Sequence, residues 1–215
     1  MVRRHPLPSA LPLLWLFSDE RLNPSVDRLA ALLPPGSGIV VRHDALGTGA
    51  RWRLVRRLIR TARARRLSVW VAGPPALARR WGADGAYVRH PDMAAIKGGV
   101  RAGLPIAIPV HDLAEAGAAR RAGAAVCFIS PLFPTRSHPG APALGRSLWL
   151  RLARLAGGVP IALGGMDASR ARTLRRAAGA QGVRPGWAAI DGMSALAAKR
   201  TARRRSYQKR NAVPT

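Results

Sequence analysis

Acid, lysine and cysteine are all scarce in this chain of 215 residues, and each scarcity excludes something. A single cysteine, Cys127, rules out a disulfide framework and any multi-cysteine zinc site. Aromatic residues make up only 5%, few for the stacking platforms of single-strand nucleic-acid binders. No apolar run approaches the roughly 20 residues of a membrane span, so no membrane partner is expected. Glycine (22) and proline (18) recur without a period, which excludes collagen-like structure and leaves many short connections.

The shortage of acid is extreme. Ten Asp and Glu stand against 36 Lys and Arg, a formal net charge of +26, and all but three of those cations are arginine. Arginine beside abundant alanine is what compositional drift produces. It is also what an anionic partner selects: a phosphorylated small molecule, or nucleic acid held non-specifically. Hydrophobic residues at 48% and near-zero mean hydropathy make the chain a globular protein and not a disordered one. Arg3 and Arg4 precede an apolar run over 10–17, but Asp19 and Glu20 follow at once with no small-residue cleavage site. That run reads as a buried first strand, and a cytoplasmic location is expected.

Strand-length apolar runs recur at 13–17, 38–42, 68–72, 85–88, 105–110, 125–130, 160–163 and 187–190. They are continuous and not alternating, as in strands covered on both faces of a parallel sheet. Amphipathic segments separate them. Over 51–66, Trp52, Val55, Ile59 and Ala62 form one stripe while Arg53, Arg56, Arg57, Arg60 and Arg63 point elsewhere. Over 146–156, Leu148, Leu152 and Leu155 do the same. Eight strands with intervening helices predict a single small (β/α)8 TIM barrel over 1–198, with brief helices. An open doubly wound sheet is the alternative, but the first turn, Ser18-Asp19-Glu20-Arg21, lacks the glycines that usually mark one. Residues 199–215 carry seven cations and no acid and read as a basic, frayed tail. Nothing in the sequence speaks to oligomeric state.

Active sites of such barrels gather at the carboxyl ends of the strands. Those ends here carry Ser18-Asp19, Arg42-His43-Asp44, Arg89-His90, Asp92, His111-Asp112, the proline- and glycine-rich loop 131–145, Gly164-Gly165 and Ile190-Asp191. Gly164-Gly165 opens bare backbone N–H groups toward an anion at a strand-to-helix turn, or is an ordinary tight turn with Asp167 as the helix cap. Asp92 is either a helix cap or a ligand for diphosphate-bound Mg²⁺. Asp112 is the better cap of its pair, and Cys127 reads as a small buried hydrophobe.

Ser18-Asp19, Val40-Val41-Arg42, Gly82-Ala83-Asp84-Gly85 leading to Asp92, Val110-His111, Ser130-Pro131-Leu132-Phe133-Pro134-Thr135 and Ala162-Leu163-Gly164-Gly165-Met166 occur in order, followed by Ile190. Together they resemble thiamine phosphate synthase and its thiazole-tautomerase relatives. The resemblance implies a TIM barrel that joins hydroxymethylpyrimidine diphosphate to thiazole phosphate and releases diphosphate, with Mg²⁺ as cofactor. It implies that Arg42 binds diphosphate, that Asp92 holds Mg²⁺, and that Thr135 lines the substrate site. Gly164, Gly165 and the backbone at Ile190 would hold the thiazole phosphate.

The chain departs from that pattern at several points. The family's Asn-Asp pair after the third strand, whose Asp is a metal ligand, falls on Ala72-Gly73, and a lysine after the second falls on Asp44. The lysine closing the loop after the sixth strand falls on His138, and a serine near the phosphate on Asp191. Val183-Arg184-Pro185-Gly186 is an insertion before the last strand. Arg89, His90 and Arg136 lie near the affected strand ends and are candidate replacements. The tautomerase histidine falls on Pro131, which leaves that activity without its residue. The expectation is a weakened transferase. The alternatives are a phosphate-binding barrel without the transfer step and a basic nucleic-acid-associated protein.

Overall fold

The structure is a computed structural model describing residues 10–20, 22, 25–89, 93–135, 140, 142–190, 192–195, 198 and 202, with backbone alone at 93 and 95. Eight parallel strands, β1 (Leu14–Phe17), β2 (Gly38–Val41), β3 (Ser68–Ala72), β4 (Gly85–Tyr87), β5 (Ile106–Val110), β6 (Val126–Ile129), β7 (Val159–Ala162) and β8 (Gly186–Ala189), follow one another around a closed ring. The helices between them are α1 (Val26–Leu32), α2 (Thr48–Arg65), α3 (Pro75–Trp81), α4 (Met93–Arg101), α5 (Leu113–Ala122), α6 (Gly145–Ala156) and α7 (Ala168–Gly179). This is the expected (β/α)8 barrel. Several helices are brief: α1 and α3 have seven residues each.

The few aromatic residues are concentrated where a small ring needs them. Trp15, Phe17, Trp70, Tyr87 and Phe128 fill the barrel interior in edge-to-face contacts, ring centroids 4.7 to 5.5 Å apart. Glycine on the next strand makes the room. Gly38 is the register partner of Trp15, Gly85 of Trp70 and Gly186 of Ile161. A β-carbon at any of the three would come within 2.2 to 2.5 Å of that neighbour's side chain. The second core lies between strands and helices, built from residues such as Leu29, Ile39, Leu58, Trp149 and Leu174.

Three sequence readings are corrected. Trp52 does not belong to the buried stripe of α2: it is 44% exposed, and Leu54, Val55, Leu58, Ile59 and Ala62 face inward. At 100° per residue Arg51 stands at the centre of that arc and Trp52 at its margin. β8 begins at Gly186, one residue earlier than expected, where a β-carbon would stand 2.3 Å from Ile161. The strands expected to reach Arg42, Ser130 and Ile190 stop one residue earlier, which frees those three residues at the mouth. Among the described residues no helix is long and apolar enough to cross a membrane. Most of the basic tail over 199–215, like His90, Asp92, Arg136, His138 and Asp191, lies outside the described residues.

Candidate active site

One cavity of about 620 Å³ opens at the carboxyl ends of the strands, within the range of small-ligand sites. Arg42, Thr135, Gly164, Gly165 and Ile190 all line it, so five of the seven predicted site residues meet in one place. His138 and Asp92 are the two outside the described residues. Apolar walls come from Phe17, Pro131, Leu163 and Met166.

Arg42 is held in position from several sides. Its Nε donates to the Ser18 carbonyl at 3.1 Å, its Nη2 pairs with Asp19 at 2.8 Å, and its guanidinium lies 5.8 Å over the Phe17 ring. Below it, Ser18 Oγ accepts from the Arg42 backbone N–H and is hydrogen-bonded to His43 Nδ1, both at 2.8 Å. His43 turns away from the cavity at φ +39° and is buried. Burial pushes its pKa below the ordinary histidine value against the pull of Glu20 and Asp19. Tyr87 lies in the barrel interior, and burial pushes its phenol up to about 12 despite Arg89 and Arg42 nearby.

The opposite side of the cavity is built on the turn after β7. Gly164 and Gly165 have φ of +89° and +62°, and β-carbons there would stand 2.7 Å from Pro131 and from the Pro134 carbonyl. The turn packs onto the 131–134 loop through Leu132 N–H to Leu163 C=O (2.9 Å) and Phe133 N–H to Gly164 C=O (3.2 Å). Asp167 caps α7, accepting from Ser169 and Arg170 N–H at 2.7 and 2.9 Å. The helix end is therefore shared with a carboxylate.

Arg170 supplies the cation that sequence reasoning missed. It lines the cavity, donates to the Gly165 carbonyl, and lies 4.7 Å over the Phe133 ring. The usable signal was its place three residues after the capping Asp167, one turn from the glycines. His111 also lines the cavity, but Glu115 holds its Nδ1 at 2.8 Å and its backbone N–H at 2.6 Å. With Asp112 accepting from Glu115 N–H at 2.8 Å, this is a reciprocal helix cap.

The described residues at the ends of β2 and β3 do not suit a divalent cation. Ala72 and Gly73 offer no carboxylate, and Asp44 is taken by two guanidiniums, Arg51 at 3.8 Å and Arg89. Among the described residues no three His, Cys, Asp or Glu stand together as a metal site. Gly73 has φ +141°, so an aspartate placed there would be strained.

No curated protein shows a significant sequence match to this chain. Among solved structures, thiamine phosphate pyrophosphorylase from Pyrococcus furiosus matches at a TM-score of 0.68 and 24% identity, over 82% of this chain and 84% of its own. FabK from Thermotoga maritima matches at 0.63 and 16%, over 85% and 58%. An HpcH/HpaI aldolase/citrate lyase family protein from Burkholderia cenocepacia matches at 0.60 and 18%, over 92% and 95%. At these identities the likenesses bear on the fold. The model of the family described as thiamine monophosphate synthase matches residues 14–185, and the chain belongs to that family.

Proposed function

We propose that the barrel is a thiamine phosphate synthase-like transferase that joins hydroxymethylpyrimidine diphosphate to thiazole phosphate. One observation carries the reading: Arg42, Thr135, Gly164, Gly165 and Ile190, drawn from four separate strand ends or loops, converge on one cavity in a chain of this family. In the reaction the bond from the pyrimidine methylene carbon to diphosphate oxygen breaks, and diphosphate leaves with the electron pair. The thiazole nitrogen then gives its lone pair to that carbon, forming the C–N bond. The barrier is set by charge on the leaving group, so a positioned cation contributes more than a general base. Arg42 takes that role, Thr135 lines the substrate, and the Gly164-Gly165 turn with Ile190 and Arg170 receives the thiazole phosphate.

The Asp19 carboxylate on Arg42 favours a second reading, a phosphate-binding barrel without transfer, because it already offsets the charge the leaving group needs. Purified protein given both precursors separates the two. Slow formation of thiamine phosphate, abolished by Arg42→Ala, is expected. Binding of thiazole phosphate with no product under any metal condition would leave only the second reading.

A further inference from the structure

The ends of β2, β3 and β4 carry a group of charges that the cavity described above does not use. Arg51 belongs to α2, yet it does not face solvent with Arg53, Arg56, Arg57, Arg60 and Arg63. Its side chain is 12% exposed, and its Nη2 donates to the carbonyls of Val41 and Ala72 at 3.1 and 2.5 Å, at the carboxyl ends of β2 and β3. Its guanidinium lies 5.7 Å over Trp81, and its Nε is buried with no partner. A buried guanidinium with an idle donor is costly, so its place is informative. That place is the end of β3, where the family resemblance implies a metal-ligating carboxylate and this chain has Ala72-Gly73.

Asp44 completes the arrangement. One of its oxygens is 3.8 Å from Arg51 and the other is hydrogen-bonded to Arg89, which follows β4. A carboxylate spanning two guanidiniums presents a pair of anionic acceptor oxygens, as two oxygens of a tetrahedral phosphoryl group would in the same position. Asp44 and Arg89 are half and more than a third exposed, so their contact faces solvent and can open. Asp44 lies two residues beyond Arg42 at the end of β2 and pairs with Arg89 after β4, so the cluster shares the carboxyl-end face of the barrel with Arg42.

We propose that this chain binds diphosphate through guanidinium groups in place of a metal ion: Arg51 and Arg89 form the clamp at the ends of β2 to β4, and Asp44 fills the anion's position between them until a diphosphate displaces it. The identity of the anion rests on the transferase reading; the clamp does not. Guanidinium groups supply both the charge and the donors, so the clamp needs no metal.

Calorimetry with inorganic diphosphate tests this, in excess EDTA and again in excess Mg²⁺. Binding in EDTA is expected, not strengthened by Mg²⁺. Asp44→Asn should tighten it and Arg89→Ala weaken it, each by about tenfold, the effect of one charged hydrogen bond. Arg51→Ala removes donors to two strand carbonyls and risks the fold; Arg51→Lys keeps the charge but loses the fork, and should also weaken binding. Binding that requires Mg²⁺, no binding in either buffer, or affinity unmoved by Asp44→Asn and Arg89→Ala would each overturn the clamp. Thiamine phosphate formation with Mg²⁺-dependent diphosphate binding overturns this inference alone. Metal-free binding without product overturns the transferase reading alone.

Discussion

A β-carbon on Gly38 would lie 2.2 Å from the Trp15 indole, which sits directly across the β1–β2 register. The barrel therefore tolerates the indole only because its partner has no side chain. Gly38→Ala forces the ring or the strand to move, and overpacking of this kind costs about 1–3 kcal/mol, or more where backbone must shift. Urea unfolding should place Gly38→Ala at or above the top of that range. Adding Trp15→Leu to Gly38→Ala should recover part of the loss. Additive costs in the double variant would refute the pairing.

Burial also makes one histidine pH-sensitive. The pKa of His43 is depressed in the fold relative to its ordinary value of 6.5, first by burial. Between those two pKa values the unfolded chain holds a proton that the folded chain refuses, so stability rises with pH there. The contribution is complete above 6.5 and is lost as pH falls through the folded value. Asn tolerates the positive φ at this position, so His43→Asn keeps the backbone while removing the titration. Its unfolding midpoint should fall less steeply than wild type as pH drops below 6.5; parallel curves would refute the assignment.

Cys127 lies fully buried in β6, and burial pushes its thiol up to about 11. Neither thiolate nor access is present near neutral pH. A thiol reagent should leave the folded chain unlabelled and react fully in denaturant. Stoichiometric labelling of native protein would show that the β6–α6 contact opens.

The barrel was legible because its eight strands are covered on both faces and read as unbroken apolar runs. The cavity was legible where backbone chemistry speaks through sequence: paired glycines, a capping aspartate, a proline-rich loop. Arg51 and Trp52 show the limit. Residue type assigns an arginine outward and a tryptophan inward, whereas the helical arc of the buried residues is centred on Arg51, whose guanidinium is received by the strand-end carbonyls of Val41 and Ala72. Arg170 was missed for a related reason, since 33 of the chain's residues are arginine and none stands out by type.

Arg53, Arg56, Arg57, Arg60 and Arg63 are exposed along one side of α2, next to the exposed Trp52 that Arg56 covers at 5.9 Å. An arginine stripe of this kind attracts polyanions without reading sequence. Duplex DNA should bind weakly, with affinity falling steeply between about 50 and 200 mM salt. Arg53→Glu with Arg60→Glu should flatten that slope by roughly one unit per lost phosphate contact. Tight binding that ignores salt or prefers one sequence would make nucleic acid a specific partner.

The phosphate end of the cavity can be tested without disturbing the fold, provided the right residue is changed. Gly165→Val is unsuitable, because its β-carbon would meet the Pro134 carbonyl at 2.7 Å and its backbone stands at φ +62°. Loss of binding there would report a broken turn. Arg170 is half exposed and is the third residue of α7, so Arg170→Ala should leave the unfolding midpoint nearly unchanged. If the guanidinium reaches the phosphate, calorimetry should show thiazole phosphate bound about tenfold or more weakly, the effect of a charged hydrogen bond. Diphosphate binding at the ends of β2 to β4 should not change, because Arg170 is not part of that cluster. Equal loss of both ligands would mean that Arg170 supports the mouth as a whole, and an unchanged affinity for thiazole phosphate would remove it from the site.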